Sequence, residues 1–210
     1  MDRLDLLETI YTTRSIRRFL PDPVPDEIVA RLIEAATRAP NGRNAQPWHF
    51  IAIRDSHQRL AVGEVYRRAW DEYSPPSRLA AITDPRERRR VAGAFHLGAT
   101  MGTEPPLLIV VCGPGGTSSF EMRTTAATIY PAVQNLLLAA RAYGLAGCLT
   151  TVHLPREAEL RPILGLPDEV ATYAIVPIGR TTERFGPLRR RPVGEVTFAE
   201  RWGQPLPGTG

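Results

Sequence analysis

The sequence predicts an α+β fold: a sheet of few strands sandwiched between long helices, in one domain over 1–210, with an extended C-terminal arm from about residue 180. Three observations carry this. Apolar runs of strand length at 50–53, 107–112 and 170–178 lie far apart in the chain, which does not suit an alternating βαβ series. Helical periodicity fills most of the space between them. From Arg180 onward Arg and Pro dominate and regular pattern is lost. With 210 residues and an apolar fraction of 43%, one sizeable core can form without a second domain.

In chain order, residues 2–12 read as a short amphipathic helix with Leu4, Leu7 and Ile10 on one face. The segment Thr13-Arg14-Ser15-Ile16-Arg17-Arg18-Phe19 follows, then Pro21, Pro23 and Pro25. Pro25 suits a first helical position, and Asp26 and Glu27 suit the positive end of a helix dipole. Ile28, Leu32, Ile33 and Ala36 continue that helix until Pro40, and Asn41-Gly42 signals a turn before the strand at 50–53. Residues 55–98 are polar and Arg-rich, broken at Ser74-Pro75-Pro76, and predict two helices, with 86–90 as a solvated face. The run 107–112 reads as a central strand and Gly113-Pro114-Gly115-Gly116 as a loop. Ser118 and Glu121 have capping-box spacing and open a long helix to about Tyr143. Pro131 within it predicts a kink or a shifted start. A strand at 145–152, a helix at 156–164 and a strong strand at 170–178 complete the regular part.

Composition removes several chemistries. All 26 basic residues are arginine. Without lysine there is no Schiff base and no P-loop amine, and any phosphate held by charge is held by a planar guanidinium. The net charge of +4 admits anionic ligands. The arginines are not interleaved with aromatic stacking residues, so nucleic acid is not an expected partner. Cys112 and Cys148 form no CxxC pair and read as buried small hydrophobes in a reduced compartment. No run of about 18 apolar residues suggests a membrane span, and the acidic start MDRLDLLETIY lacks a signal core. The expected location is cytoplasmic, with no membrane partner.

No catalytic residue stands out. The four histidines form no metal-binding pair, so no metal is expected, and no G-x-S-x-G elbow exists. The Gly113–116 loop matches two glycines of a dinucleotide fingerprint and misses the third. A chain without its own nucleophile favours a cofactor that carries the reactive atom. Two basic clusters remain, Arg14-Ser15-Ile16-Arg17-Arg18 and Arg189-Arg190-Arg191-Pro192, and their placement at opposite ends of a small domain allows them to converge on one phosphate. In an extended segment Ser15 and Arg17 would share a side and an anionic ligand, with Arg14 reaching from the flank. The loop Ala39-Pro40-Asn41-Gly42-Arg43-Asn44-Ala45-Gln46-Pro47-Trp48 concentrates amides, which both donate and accept and so suit the rim of a polar ring.

Three motifs in this order resemble the N-terminal signature of the nitroreductase family: Arg14-Ser15-Ile16-Arg17 with Phe19; Pro23-Val24-Pro25-Asp26-Glu27; and Ala39-Pro40-x-x-x-Asn44-x-Gln46-Pro47-Trp48 with Phe50. Gly144-Leu145-Ala146-Gly147-Cys148 resembles the family's strand beside the flavin, and Arg190-Arg191-Pro192 with Glu195-Val196 its C-terminal phosphate-binding arm. The resemblance spans about residues 5–198 and is least specific over 55–105. It implies a nitroreductase-like sandwich with a mixed central sheet, as an intertwined homodimer with FMN at the interface. Arg14 and Ser15 would serve the phosphate and ribitol end, Arg17 the N1/O2 edge of the ring, and Arg190 with Arg189 the phosphate. Pro40, Asn41, Asn44 and Gln46 would come from the other subunit. Leu149, Thr150 and Thr151 would lie near N5 through their backbone. Thr13 stands where many relatives have Arg, and Asn41-Gly42 where small hydroxyl residues are frequent. Arg67, Arg68 or another arginine of the middle helices would support the flavin, and the lid would lie within 60–105. The implied reaction passes hydride from NADPH or NADH through FMN to a small electron-poor acceptor, such as a nitroaromatic or quinone. Rival readings are a specialised flavin reaction (dehydrogenation, dehalogenation or flavin destruction) and a non-catalytic FMN-binding protein.

Overall fold

The computed structural model describes residues 5–209, with the side chain of Arg90 left undescribed. Residues 2–4 of the expected first helix, Leu4 among them, lie outside that range. Helix α1 (Leu6–Thr12) starts where the Asp5 carboxylate accepts the Leu7 and Glu8 N–H groups. Helix α2 (Asp26–Ala36) is entered from Pro25, which stands at the cap rather than inside the first turn. Strand β1 (His49–Ile53) leads to α3 (Ser56–Tyr73), α4 (Pro76–Ala81) and α5 (Pro85–Thr100). The middle region thus holds three helices, not two. Asp84 accepts the Arg86 N–H, and Pro85 sits in the first turn, a second start signal inside the Arg-rich stretch.

Strand β2 (Leu107–Pro114) runs on through Gly113 and Pro114, which the sequence had suggested as loop. Ser118 and Glu121 close a capping box on α6 (Ser119–Ala142). That box fixes the start, so Pro131 does not displace it, and the helix is unbroken through Pro131. Of the expected strand at 145–152, only β3 (Ala146–Gly147) is regular, with Thr150 rejoining the sheet by a single bridge to Ile175. Helix α7 (Glu157–Leu164) and strand β4 (Val170–Gly179) follow.

The sheet order is β1-β2-β4-β3 and every pairing among the described residues is antiparallel. The expected mixed sheet is therefore antiparallel within one chain. The reason is topological: β2 and β3 point the same way across α6, but β4 inserts between them and runs opposite to both.

Both faces of the sheet are covered, which explains why β2 reads as a continuous apolar run. Leu107, Ile109 and Val111 pack on one face with Leu32 of α2 and Leu136 of α6. Leu108, Val110 and Cys112 pack on the other with Tyr66 of α3, Leu97 of α5 and Leu160 of α7. Helix α3 packs tightly on the turn that follows α5, because a Cβ at Gly63 would stand 2.4 Å from the Gly102 Cα. Both cysteines are buried unpaired thiols, and burial pushes Cys112 up to about 12 and Cys148 up to about 11. Among the described residues no helix is long and apolar enough to cross a membrane.

Candidate functional site

After α1 the chain runs extended along the β3 edge of the sheet. The Ile16 N–H donates to the Gly147 carbonyl at 3.2 Å and the Leu20 N–H to the Arg180 carbonyl at 2.8 Å. Ile16 and Phe19 are buried in the core facing α3 and α5, which pins the segment and presents its polar residues outward. The C-terminal arm docks on the same place. Gly186 and Leu188 donate to the Thr12 and Tyr11 carbonyls, each at 3.3 Å.

This docking creates a cleft of about 640 Å³ whose wall includes Thr13, Arg14, Ser15 and Arg190. The two basic clusters, far apart in sequence, therefore meet. Arg189 does not line the cleft; its carbonyl accepts a hydrogen bond from the Arg190 guanidinium at 3.1 Å. Glu183 reaches Arg14 at 3.5 Å and Arg18 at 3.8 Å. Thr13 lines the cleft, and its buried hydroxyl has no hydrogen-bond partner among the described residues.

Arg17 does not share that cleft with Ser15, contrary to the simple alternation of an extended strand. It lines a second hollow of about 210 Å³ with Tyr66, Trp70, Leu149, Thr150 and Thr151. The segment forms no regular strand, so strict side alternation does not hold across it. The Arg17 guanidinium is half-buried and makes no ion pair or hydrogen bond with the described residues. The floor of this hollow is fixed. The Tyr66 hydroxyl lies 2.9 Å from the Thr150 hydroxyl, and Thr150 and Ile175 exchange backbone hydrogen bonds of 3.0 and 2.9 Å. Behind the turn, His153 is fully buried with Nε2 at 3.1 Å from the Thr172 hydroxyl. Glu157 in turn accepts the Thr172 N–H at 2.5 Å and its hydroxyl at 3.0 Å. Burial pushes His153 down to about 4, and its Nδ1 has no partner among the described residues, which costs a neutral ring less than a charged one.

The amide-rich loop is elsewhere. Pro40, Asn44 and Gln46 are exposed and Asn41 half-buried, ahead of β1 at the opposite edge of the sheet. Three interstrand spacings, about 14 Å, separate that edge from β3. Arg43, Asn44 and Gln46 all have left-handed backbones, with φ of 56°, 53° and 47°. The Asn41 side chain accepts the Gln46 N–H at 2.9 Å and holds this shape. Such strain gathers at functional positions.

Known proteins match this chain. The description "Nitroreductase family" fits residues 10–180. The chain belongs to the nitroreductase family. A putative NADH dehydrogenase/NAD(P)H nitroreductase of Archaeoglobus fulgidus is 28% identical over 88% of this chain and 95% of its own length. The 5,6-dimethylbenzimidazole synthase of Rhodospirillum rubrum is 31% identical over 91% and 92%. Among solved structures, the FMN and NADPH-dependent nitroreductase of sphigopyxis sp. strain HMH superposes with a TM-score of 0.72 at 22% identity, covering 95% of this chain and all of that one (100%). Family membership makes this chain a nitroreductase-family flavin oxidoreductase.

Arg67 is tied to Glu64 and Asp71, and Arg68 to Glu64 and Glu159, so neither faces the Arg17 hollow. Tyr66 and Trp70 face it instead. Their signal was present in the sequence: Val62, Val65, Tyr66, Ala69 and Trp70 form a helical stripe, and all are buried.

Proposed function

We propose that this protein is an FMN-dependent oxidoreductase that passes hydride from NADPH or NADH to a small electron-poor acceptor, such as a nitroaromatic or quinone. The reading is carried by one observation. A cleft lined by Arg14, Ser15 and Arg190 and a hollow lined by the unpaired Arg17 open along one extended segment. From residue 14 to residue 17 such a segment spans about 10 Å, the scale of a five-carbon ribityl chain between a phosphate and a ring.

The residues present fit FMN. Arg14 and Arg190 offer guanidinium forks to the phosphate, and the orphaned Thr13 hydroxyl and Ser15 add polar contacts. Arg17 brings positive charge to the ring's N1/O2 edge, where anionic charge develops on reduction. The backbone at Leu149 and Thr150, fixed from behind by Tyr66, faces the N5 edge. When bound, FMN supplies the hydride chemistry at N5; the chain orients it and tunes its charge.

The working unit we propose is a homodimer. Pro40, Asn41, Asn44 and Gln46 stand on the far edge of their own sheet, so a second copy must bring them to the ring. Helix α1 supports this with exposed apolar residues: Leu6, Leu7, Ile10 and Tyr11 are 66%, 55%, 43% and 64% exposed. A surface of that kind suits a subunit interface.

The test is an absorption spectrum of the purified protein before and after anaerobic NADPH or NADH, with its mass in solution. A flavin spectrum that bleaches, in a dimer, is the expected result. A flavin that neither donor reduces would point to a binding protein or a specialised flavin enzyme. Failure to take up added FMN would end the proposal.

A further inference from the structure

The hollow that holds Arg17 is bounded on one side by Trp70 and Ala94. Trp70 and Ala94 form a common wall with an adjoining cavity of about 250 Å³. Aromatic faces dominate this cavity. The Trp70 ring meets Phe95 edge-on, with centroids 5.4 Å apart at 85°, and Tyr73 at 6.0 Å and 58°. The indole is held in place by Gly98, where a Cβ would stand 2.5 Å from its Cδ1. Among the described residues the wall of the cavity has one cation, Arg78 of α4, which is exposed and makes no ion pair with them. Glu87, also on the wall, already has an interaction of its own.

We propose that this cavity is the acceptor subsite and that it selects planar aromatic carboxylates. An aryl ring would pack against Trp70, Tyr73 and Phe95, which offer both faces and edges. Its carboxylate would sit on the Arg78 fork. The reducible end of the ligand would then project past Trp70 and Ala94 toward Arg17. This deepens the flavin reading above, but binding at the subsite does not depend on it.

Two probes test it: 4-nitrobenzoate and 4-nitrobenzamide share a ring and a reducible group and differ in charge. Binding is read by quenching of tryptophan fluorescence in the purified full chain. The native protein should hold the benzoate about fivefold more tightly than the amide, the size of a partly exposed charge contact. Arg78→Gln should abolish the preference by weakening the benzoate selectively, and Arg78→Lys should restore part of it. In turnover the same change should appear as a raised KM for the benzoate relative to the amide. Equal affinities in the native protein, or an equal loss for both probes in Arg78→Gln, would overturn the proposal. An intact benzoate preference in a protein that binds no FMN would instead defeat the flavin reading and leave the subsite standing.

Discussion

The hydroxyl of Tyr66 lies 2.9 Å from the hydroxyl of Thr150 and joins α3 to the turn after β3 across 84 residues of sequence. Burial pushes the Tyr66 phenol up to about 12, with the Thr150 contact pulling the other way. The phenol therefore stays protonated through the neutral range. Thr150 also accepts the Val152 N–H at 3.4 Å, so one hydroxyl pair sets the backbone of 150–152. Removing the pair with Tyr66→Phe should cost about 1 kcal/mol, or about 2–4 °C in Tm. It should also slow reduction of bound FMN by NAD(P)H, because the turn faces the same hollow as Arg17. A lowered Tm with an unchanged reduction rate would make the pair purely structural.

Arg17 is half-buried without an ion pair or hydrogen bond to the described residues. Such a group contributes little to the protein alone and much to an anionic ligand. Arg17→Gln should leave the Tm of the flavin-free protein unchanged or slightly raised. With FMN bound, loss of the charge should lower the two-electron potential by about 20–60 mV, equivalent to about 1–3 kcal/mol. A redox titration against reference dyes reads this, and an unmoved potential would remove Arg17 from the ring's edge.

His153 should make the fold sensitive to mild acid. Burial holds its folded value at about 4 against an ordinary value of 6.5. The unfolded chain therefore binds the proton first as pH falls. The stability is fully present above about pH 6.5 and is lost as pH drops toward 4, by about 2 kcal/mol at pH 5. Urea unfolding at pH 7.5 and pH 5.0 measures the loss. His153→Gln, which keeps a donor for the Thr172 hydroxyl, should shrink the difference between the two pH values. An identical difference in the variant would place the acid sensitivity elsewhere.

The parts of the fold that the sequence revealed are those governed by local pattern. β1, β2 and β4 are apolar runs long enough to stand out, and the Ser118–Glu121 capping box marked its helix directly. β3 was less legible because pairing ends after Gly147, where a Cβ would stand 2.6 Å from Ile178 Cδ1. The chain then turns to carry Thr150 back to Ile175. Arg14, Ser15 and Arg190 were visible as charge clusters, and their meeting depends on the Gly186 and Leu188 hydrogen bonds to α1, a tertiary event with no local mark. The helical stripe marked Tyr66 as buried, but its contact with Thr150 had no local mark, since that partner lies in another element.

The loop at 41–46 offers a test of strain kept for function. Gln46 has a φ of 47° and Asn44 one of 53°, each a conformation that costs a side-chain-bearing residue about 1–2 kcal/mol. Asn41 holds the shape by accepting the Gln46 N–H. A chain shaped only by stability would place glycine here. Gln46→Gly should therefore raise the Tm of the flavin-free protein by about 2–4 °C. In the dimer proposed above, the same variant loses an amide that reaches the partner's flavin, so FMN should bind about tenfold more weakly. Opposite movements of Tm and affinity would show that the strain serves the site. If both rise together, Gln46 has no contact with the flavin, and its left-handed backbone is left without a functional reason.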